Sequence, residues 1–596
     1  MEVRSRTRLT PAPARTVEFT FKPEKSGQSF AAVSDAEQLA RAHAFGFRIV
    51  AAWWRALVSP DRRPQPLREF FAPVCLHALP DTDADKADAI GDAAAGLDPE
   101  AALSRIGKAY SSLLPPDYRA KFGIYYTPPA LAKTLIDQAT LSGVNWTSAR
   151  VLDPACGGGA FLAPVANRII AELSGCSPRI LLENIASRLR GYEIDPFGAW
   201  LSQVALDAAI LPVTREARKR LPVVVSMQDS LRSATPAAQF DLVIGNPPYG
   251  RTSLDATTRA QYLRSLYGHA NLYGLFTDLA LRHAKQGGIV AFVTPTSFLA
   301  GEYFKKLRAL LASEAPPASI AFVAARKGVF ENVLQETLLA TYQRAAPSAD
   351  VRVYQLDASG TNIVNIEDAG TIRLPTDPSK PWLLPRSARQ SSLVRRLGAM
   401  QHRLSDWGYS VSTGPLVWNR HKDQLAHRPG AKRFPLIWAE AVTPDGGFVW
   451  RAEKKNHALY FEVRPGDDWL ISADECVLVQ RTTAKEQNRR LIACSLPRRF
   501  VSRHGAVVIE NHLNMVRAIG KRPPVSAGVL AAFLNSAAAD QAFRCVSGSV
   551  AVSAFELEAL PLPAPDALVA LERLVRAAAS QDRIDGACMR LYEKEA

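Results

Sequence analysis

The sequence predicts an α/β protein built on a doubly wound, mostly parallel sheet, and three observations support this fold class. Seven short β-rich runs alternate with helical stretches between residues 116 and 345, which is typical of a sheet covered by helices on both faces. The preceding residues, 34–115, are rich in Ala and Leu at helical spacing. The later residues, 386–565, mix short strands with helices, so we expect a separate α+β region there.

Changes in composition divide the 596 residues into six segments, and a chain of this length is expected to form two to four domains. The first segment is rich in Pro, Arg, Thr and Ser without clear periodicity. Pro, Asp, Ser and Gly mark a second polar stretch further on. We therefore expect, in chain order, a flexible N-terminus (1–33), a helical N-terminal region (34–115), an α/β domain (116–345), a connector (346–385), a mixed α+β domain (386–565) and a C-terminal helix (566–596).

The composition excludes several classes of protein. Hydrophobic residues make up 47% and charged residues 22% of the chain, which is ordinary for a globular protein and unlike a disordered, collagen-like or membrane-embedded one. The seven cysteines form no C-x-x-C pair, so we expect neither a disulfide framework nor a metal site. The N-terminus does not resemble a secretory signal, and no run of about 18 apolar residues could span a membrane. We expect a cytoplasmic protein with no membrane partner.

The positive charge of the chain is concentrated in one region. The net charge is +15, and residues 381–520 hold 22 Lys and Arg against 12 Asp and Glu, a net charge of +10. Aromatic residues such as Trp407, Trp418 and Trp438 are interleaved with these charges. A solvated surface is the simpler interpretation of such an excess of positive charge. Because the charge is concentrated in one segment, we favour a surface that binds the phosphates and bases of a nucleic acid.

A glycine-rich loop follows the first predicted strand, in residues 151–162 (VLDPACGGGAFL). Three consecutive glycines let the backbone pass close to a ligand, because no Cβ intrudes. Such a loop could bind a dinucleotide or a phosphate, or could merely close a βα unit. It lacks the Lys-Ser/Thr ending of a phosphate-binding P-loop, and the Asp153 carboxylate would repel phosphate but could face a cationic amino acid.

Two further acidic residues end the next strands. Glu193 ends the second strand, where an acid typically accepts hydrogen bonds from ribose hydroxyls, and Asp229 ends the third, where it could accept from an adenine amino group. Asp195 precedes Pro196 and is expected to cap a helix. A ligand with ribose, adenine and an ammonium group but no phosphate is S-adenosylmethionine.

The fourth strand runs into the tetrapeptide Asn246-Pro247-Pro248-Tyr249. The Asn246 side-chain carbonyl and the Pro247 carbonyl supply two neutral acceptors on a backbone stiffened by proline. Two acceptors can hold both hydrogens of an exocyclic amine and free its lone pair to attack a sulfonium methyl group, with Tyr249 as a flat face for an extruded base. The alternative interpretation is a simple Asx-Pro turn after a strand.

At these motifs the chain resembles the amino-methylating DNA methyltransferases with an N-P-P-Y motif, and within them the gamma group of N6-adenine enzymes of restriction-modification systems. Residues 122–129 (FGIYYTPP) precede the glycine-rich loop, the acidic strand ends and the tetrapeptide, and the basic region comes last, as in that group. The resemblance implies a Rossmann-like methyltransferase sheet and a C-terminal target-recognition domain. It also implies an S-adenosylmethionine site that includes Gly157 of the loop together with Thr127, Asp153, Ala155, Glu193 and Asp229.

The same resemblance implies that Asn246, Pro247 and Tyr249 hold the target adenine, and that Phe330 in the run GVFEN stacks on its other face. A core aromatic is the alternative role for Phe330. In the basic region, Arg420 and Arg481 are candidate DNA contacts. The implied function is sequence-specific methylation of N6 of a flipped adenine in duplex DNA, in a nucleoid-associated enzyme that a restriction endonuclease could accompany.

Other functions of an N-P-P-Y protein remain open at this point. Enzymes that methylate a protein glutamine amide or an RNA guanine amine use the same tetrapeptide, although the former are usually shorter and lack a large basic region. A non-catalytic specificity subunit would need a decayed loop or a broken tetrapeptide, and both are intact here. A fused nuclease would need an acid-acid-Lys metal site in residues 1–115, which show no convincing one. A methylation subunit of a multi-chain complex is also possible.

Overall fold

A computed structural model of the protein describes residues 34–594, apart from 60, 62–63, 125, 233–237, 324–335, 348–349, 358–363, 483–488 and 547–550. The segment 1–33, for which the sequence predicts flexibility, lies outside the described residues. The N-terminal region is helical, as its Ala- and Leu-rich pattern predicts. Its helices are α1 (Asp35–Val58), α2 (Asp81–Ala94), α3 (Pro99–Leu113) and α4 (Pro116–Phe122).

The α/β domain contains all seven strands that the sequence predicts. Its elements are α5 (Pro129–Leu141), β1 (Val151–Asp153), α6 (Leu162–Glu172), α7 (Pro178–Arg188), β2 (Leu189–Glu193), α8 (Pro196–Ala209), α9 (Leu211–Ala217), β3 (Val225–Met227), β4 (Phe240–Gly245), β5 (Arg251–Thr252), α10 (Ala256–Gln261), β6 (Ala270–Asn271), α11 (Leu272–His283), β7 (Ala284–Pro295), α12 (Lys305–Glu314), β8 (Pro317–Val323) and β9 (Thr337–Gln343). The short strands β5 and β6 pair with each other outside the main sheet.

The predicted connector, 346–385, supplies two more strands of this sheet, β10 (Val351–Asp357) and β11 (Asn365–Ile372). The sheet has nine strands in the order β11-β10-β8-β9-β7-β4-β1-β2-β3, with β9 and β11 antiparallel to their neighbours and the others parallel. The connector interpretation is therefore wrong for these residues. The error has a physical reason, because β11 lies at the sheet edge and is mostly exposed, so its polar composition resembles that of a loop.

Helices cover both faces of the sheet, which confirms the predicted doubly wound α/β fold. Along β7, Ile289, Ala291 and Val293 pack into a core shared with α5 and α6, whereas Val290 and Phe292 pack into a core shared with α11 and α12. Strand order reverses between β4 and β1, so the carboxyl ends of these two strands border the crevice where ligands bind in open α/β sheets.

The C-terminal region mixes strands and helices, as predicted. Its elements are α13 (Ser391–Ala399), β12 (Tyr409–Thr413), β13 (Leu425–Ala426), β14 (Arg433–Ile437), β15 (Tyr460–Glu462), β16 (Ile471–Ser472), β17 (Val477–Gln480), β18 (Ala493–Ser495), α14 (Arg498–His504), β19 (Val507–Ile509), β20 (Leu513–Ala518), α15 (Ala527–Leu534), α16 (Ala537–Val546), α17 (Ala554–Glu558), α18 (Val569–Arg576) and α19 (Gln581–Lys594). The strands form a four-stranded sheet, β12-β20-β17-β18, and a five-stranded sheet, β13-β15-β14-β19-β16.

Two smaller features complete the fold. The tail, predicted as one helix over 566–596, is divided into α18 and α19, and Ala578 between them has a φ of +47°, which no continuous helix accommodates. Within the described part of the chain, no single helix is long and apolar enough to cross a membrane, although the bent pair of α8 and α9 reaches that threshold jointly.

Candidate active site

A cavity of about 350 Å³ lies at the carboxyl ends of the central strands. The glycine-rich loop, the ends of β1 and β2, residues 122–124 and residues 126–127 border it, and Asn246 of the tetrapeptide lies at its wall. The six residues predicted to bind the cofactor all line this cavity: Thr127, Asp153, Ala155, Gly157, Glu193 and Asp229. Sequence reasoning could place the loop and the three acids together because the ends of adjacent parallel strands meet at one edge of a sheet, whereas Thr127 is implied only by the family resemblance.

The glycine-rich loop is packed against the segment that follows α4. A Cβ atom at Gly158 would lie 2.4 Å from Cε1 of Tyr126, so only glycine allows this approach. Gly157 and Gly159 have φ angles of +50° and +85°, which favour glycine as well. The three glycines therefore shape the loop and admit the Tyr126 ring, which forms part of the cavity wall.

Asp153 presents an unpaired acceptor in the cavity wall. Its side chain is fully buried, and Oδ1 accepts a hydrogen bond from the Ala155 backbone N–H over 3.1 Å. Oδ2 is buried without a hydrogen-bond partner among the described residues. Burial raises the pKa of this carboxyl to about 8. A buried oxygen without a partner is costly, and a cationic ligand group would satisfy it.

Glu193 ties the loop to β2. Its Oε2 accepts from the Gly157 N–H over 2.8 Å, and its Oε1 accepts from the N–H groups of Ile194 and Asp195 over 2.9 Å each. Burial raises the pKa of this carboxyl to about 7, in spite of these three donors. The carboxylate thus positions the loop, and its role as a ribose acceptor stays a prediction.

Asp195 caps α8, as the sequence predicts. Its Oδ2 accepts from the Gly198 N–H over 2.7 Å. Its Oδ1 accepts from the Tyr118 hydroxyl, also over 2.7 Å, so one carboxylate joins α4 to the start of α8. Sequence reasoning missed Tyr118, because an aromatic residue in a short helix gives no local signal of a partner 77 residues away. Tyr110 of α3 also lines the cavity, so the N-terminal helices complete its wall.

Asp229 lies at a more open part of the cavity. Its Oδ1 accepts from the Leu231 N–H over 3.0 Å, and its Oδ2 lies 3.6 Å from Nε of Arg232. The Asp229 side chain is 38% exposed, in contrast to Asp153. Its proposed hydrogen bond with an adenine amino group stays a prediction.

The tetrapeptide side chains form a short hydrogen-bonded chain. The Tyr249 hydroxyl donates to Oδ1 of Asn246 over 2.7 Å, and Nδ2 of Asn246 donates to Oγ1 of Thr127 over 3.1 Å. Thr127, expected at the cofactor, therefore also contacts the asparagine that is predicted to be catalytic. The half-buried Tyr249 ring meets Tyr273 edge to face, with centroids 6.2 Å apart. The structure thus brings Thr127, Asn246 and Tyr249 together.

Of the remaining predicted site residues, Arg420 and Arg481 lie in the C-terminal region, away from this cluster. Phe330 lies outside the described residues. Arg420 is exposed in a short 3-10 helix of the C-terminal region, and Nη1 of Arg481 donates to the Asn511 carbonyl over 3.2 Å. The prediction that the interleaved aromatics contact bases is wrong for Trp407 and Trp438, which are buried and donate their indole N–H groups to backbone carbonyls.

Comparisons with known proteins show what this chain resembles. Residues 218–330, which include the tetrapeptide, match the model of the Eco57I restriction-modification methylase family. This part of the chain is therefore similar to the methylase domain of that family. Among curated relatives, the type II methyltransferase M.BsuBI of Bacillus subtilis is 24% identical over 463 residues, covering 77% of this chain and 90% of the relative. The type II methyltransferase M.PstI of Providencia stuartii is 29% identical and covers 55% of this chain and 66% of the relative.

A solved structure extends the likeness in fold beyond residues 218–330. The structure described as the Type IIL restriction-modification enzyme MmeI in complex with DNA aligns over 92% of this chain and 87% of its own, with a TM-score of 0.56 and 13% identity. At this level of identity the likeness shows the fold. The chain thus shares the fold of this structure, an α/β sheet with a further C-terminal region, and is similar in sequence to type II methyltransferases.

Proposed function

We propose that this protein transfers a methyl group from S-adenosylmethionine to N6 of an adenine flipped out of duplex DNA, as the modification enzyme of a restriction-modification system. The observation that supports this proposal best is the hydrogen-bonded chain from Tyr249 through Asn246 to Thr127 at the wall of the cavity. The type II methyltransferase relatives support DNA as the substrate. The tetrapeptide supports an exocyclic amine as the acceptor.

The cavity fits S-adenosylmethionine in its size and in its acceptors. The buried, unpaired Oδ2 of Asp153 suits the ammonium group of an amino acid, and Glu193 and Asp229 add acceptors for hydroxyl and amino groups. The loop has no lysine to neutralise a phosphate. When bound, the cofactor would supply a methyl group on a positively charged sulfur atom.

The chain's own contribution to the reaction is positioning. Because Tyr249 donates to Oδ1 of Asn246 and Thr127 accepts from Nδ2, the orientation of the amide is fixed at both ends. A carbonyl oxygen has two lone pairs, so Oδ1 can accept one more hydrogen bond, from one hydrogen of the target amine. The Pro247 carbonyl would accept the other, which frees the nitrogen lone pair for attack.

The C-terminal region would supply the DNA contacts. Its net charge of +10 over residues 381–520 suits phosphate, and Arg420 is exposed there. Phe330 would stack on the face of the flipped base opposite Tyr249.

Sequencing that detects modified bases would test this function directly. Genomic DNA from cells that express the wild-type chain should contain N6-methyladenine at one short motif, and DNA from cells with Asn246→Ala should not. A matched control is Asn145→Ala, which changes an exposed asparagine that precedes β1. N4-methylcytosine in place of N6-methyladenine would contradict adenine as the target. Methylation of RNA or of a protein glutamine by the purified chain, without methylation of DNA, would contradict DNA as the substrate.

A further inference from the structure

We propose that a cation–aromatic patch beside the catalytic loop grips the phosphate backbone of the DNA next to the flipped adenine. The patch consists of Arg251, Tyr267, His269, Tyr303 and Lys305. It belongs to the α/β domain and is separate in sequence from the basic C-terminal region. This inference rests on the proposed function and adds a second DNA-contacting surface to it.

The patch is built from three segments that meet on the surface. The Arg251 guanidinium lies 5.8 Å from the ring centroid of Tyr303, and His269 meets the same ring edge to face at 5.2 Å. Nζ of Lys305 lies 3.5 Å from the ring centroid of Tyr267. The Tyr303 side chain is 41% exposed, so its ring is partly available to a partner. Cations and aromatic rings together are typical of surfaces that bind nucleic acid.

An aromatic chain links the patch to the tetrapeptide. The Tyr249 ring contacts Tyr273, and Tyr273 stacks on Phe304 with centroids 5.1 Å apart. Phe304 lies between the patch residues Tyr303 and Lys305 in sequence. Arg251 follows Tyr249 by two residues, in β5, which pairs with β6. The patch is therefore fixed to the same framework as the base-binding side chain.

The charges of the patch are free to act on an anion. Within the described ranges, no carboxylate oxygen lies within 4.0 Å of the charged nitrogens of Arg251 or Lys305, although Glu302 is a neighbour in sequence. By contrast, the nearby Arg264 forms ion pairs with Asp278 and Glu314. A ring holds a cation in place without neutralising it, so the positive charge remains available to phosphate.

Gly268 permits this arrangement. It has a φ of +67°, and a Cβ atom there would lie 2.7 Å from Cδ1 of Tyr303. A side chain at this position would displace the ring that orients Arg251. Gly268 thus offers a way to disturb the patch without removing a charge.

Binding of a target-containing duplex by the intact chain, measured over a range of salt concentrations, tests the inference. We expect the double variant Arg251→Ala/Lys305→Ala to lower the slope of log affinity against log salt by about 1.8, or about 0.9 for each lost phosphate contact. At 0.1 M salt this corresponds to roughly 60-fold weaker binding, if affinity at 1 M is unchanged. Gly268→Val should weaken binding too, and Arg251→Lys should retain most of the slope.

A double control variant, Arg373→Ala/Arg576→Ala, removes the same charge from two arginines that ion-pair with Asp350 and Glu572. It should leave the slope unchanged. Equal slopes for the wild type and the patch variant would overturn the inference while leaving the proposed function intact. An equal decrease of the salt slope in the patch variant and the control variant would also overturn the inference, because the decrease would then reflect net charge alone. Failure of the wild-type chain to bind or methylate DNA would instead contradict the proposed function itself.

Discussion

The side-chain amide of Asn246 donates a hydrogen bond to Oγ1 of Thr127 over 3.1 Å, so the tetrapeptide is joined to the segment that precedes α5. The same threonine lines the cavity proposed for the cofactor. One side chain thus contacts the group that would hold the methyl acceptor and borders the space for the methyl donor. This relationship gives the proposed reaction its geometric basis, because both reactants must be oriented together.

The first prediction concerns Thr127. Thr127→Val removes the acceptor for Nδ2 of Asn246 and frees the amide to rotate, whereas Thr127→Ser keeps an oxygen there. A typical hydrogen bond contributes about 1 kcal/mol, so the valine variant should transfer methyl roughly fivefold to tenfold more slowly in a single turnover. Cofactor affinity, measured by calorimetry, separates this effect from damage to the cavity. Equal single-turnover rates for valine and serine variants would show that the contact does not position Asn246.

The second prediction concerns the hydroxyl group and the aromatic ring of Tyr249, which have separate roles. Tyr249→Phe keeps the ring but removes the donor to Oδ1 of Asn246, and we expect roughly a tenfold loss of the methyl-transfer rate. Tyr249→Ala removes the ring as well and should cost orders of magnitude in that rate. Fluorescence of 2-aminopurine at the target position would report the extruded base, and should fall for the alanine variant while the phenylalanine variant resembles wild type. A phenylalanine variant as impaired as alanine would contradict a stacking role for the ring.

The third prediction concerns the pH dependence set by Asp153. Its pKa of about 8 keeps the carboxyl largely protonated at pH 7, and a cationic ligand group would favour the ionised form. Affinity for S-adenosylhomocysteine should therefore rise as the pH increases from about 6.5 to about 8. The Asp153→Asn variant should bind more weakly and lose this part of the pH dependence. Identical pH profiles for the two proteins would rule out Asp153 as the ligand's partner.

The raised pKa of Asp153 should also affect the stability of the ligand-free protein. The folded pKa lies above the unfolded value of about 3.9, so folding favours the protonated carboxyl. The free energy of unfolding contributed by this group should fall as the pH rises from about 4 to about 8. Denaturant titrations of wild type and Asp153→Asn should differ increasingly over that interval, and a constant difference would contradict the raised pKa.

The fourth prediction concerns the link between Asp195 and the N-terminal helices. Asp195→Ala removes both the cap of α8 and the acceptor for Tyr118, whereas Tyr118→Phe removes the second contact alone. Loss of a helix cap costs about 0.5–2 kcal/mol, so the alanine variant should be the less stable in denaturant titrations. Tyr118→Phe should chiefly weaken cofactor binding, because α4 borders the cavity. A tyrosine variant with unchanged cofactor affinity would show that this contact does not shape the site.

Much of the fold and of the cavity could be predicted because the signals are local. Alternating strands and helices predict the doubly wound sheet, and acids at strand ends predict that Asp153 and Glu193 lie at one edge. The sequence Asp195-Pro196 predicts a capped helix, which the structure confirms. Each of these inferences needs only neighbouring residues and the geometry of parallel strands.

The features that could not be predicted depend on long-range packing. The edge strand β11 is too polar to be distinguished from a loop, and the buried Trp407 and Trp438 look like surface aromatics in a basic stretch until their partners are known. The cation–aromatic patch joins residues from positions 251 to 305, and no local pattern predicts that they meet. Pairwise contacts across the chain, rather than composition, decide all of these features.

The most direct measurement is a crystal structure of the protein with S-adenosylhomocysteine and a duplex that contains the target site. We expect an adenine outside the helix, with its N6 at about 2.7–3.2 Å from Oδ1 of Asn246 and from the Pro247 carbonyl oxygen. Asn246 should keep its contact with Thr127 in that complex. A complex in which the Asn246 amide faces away from the extruded base, or in which the target adenine stays stacked in the duplex, would contradict the mechanism.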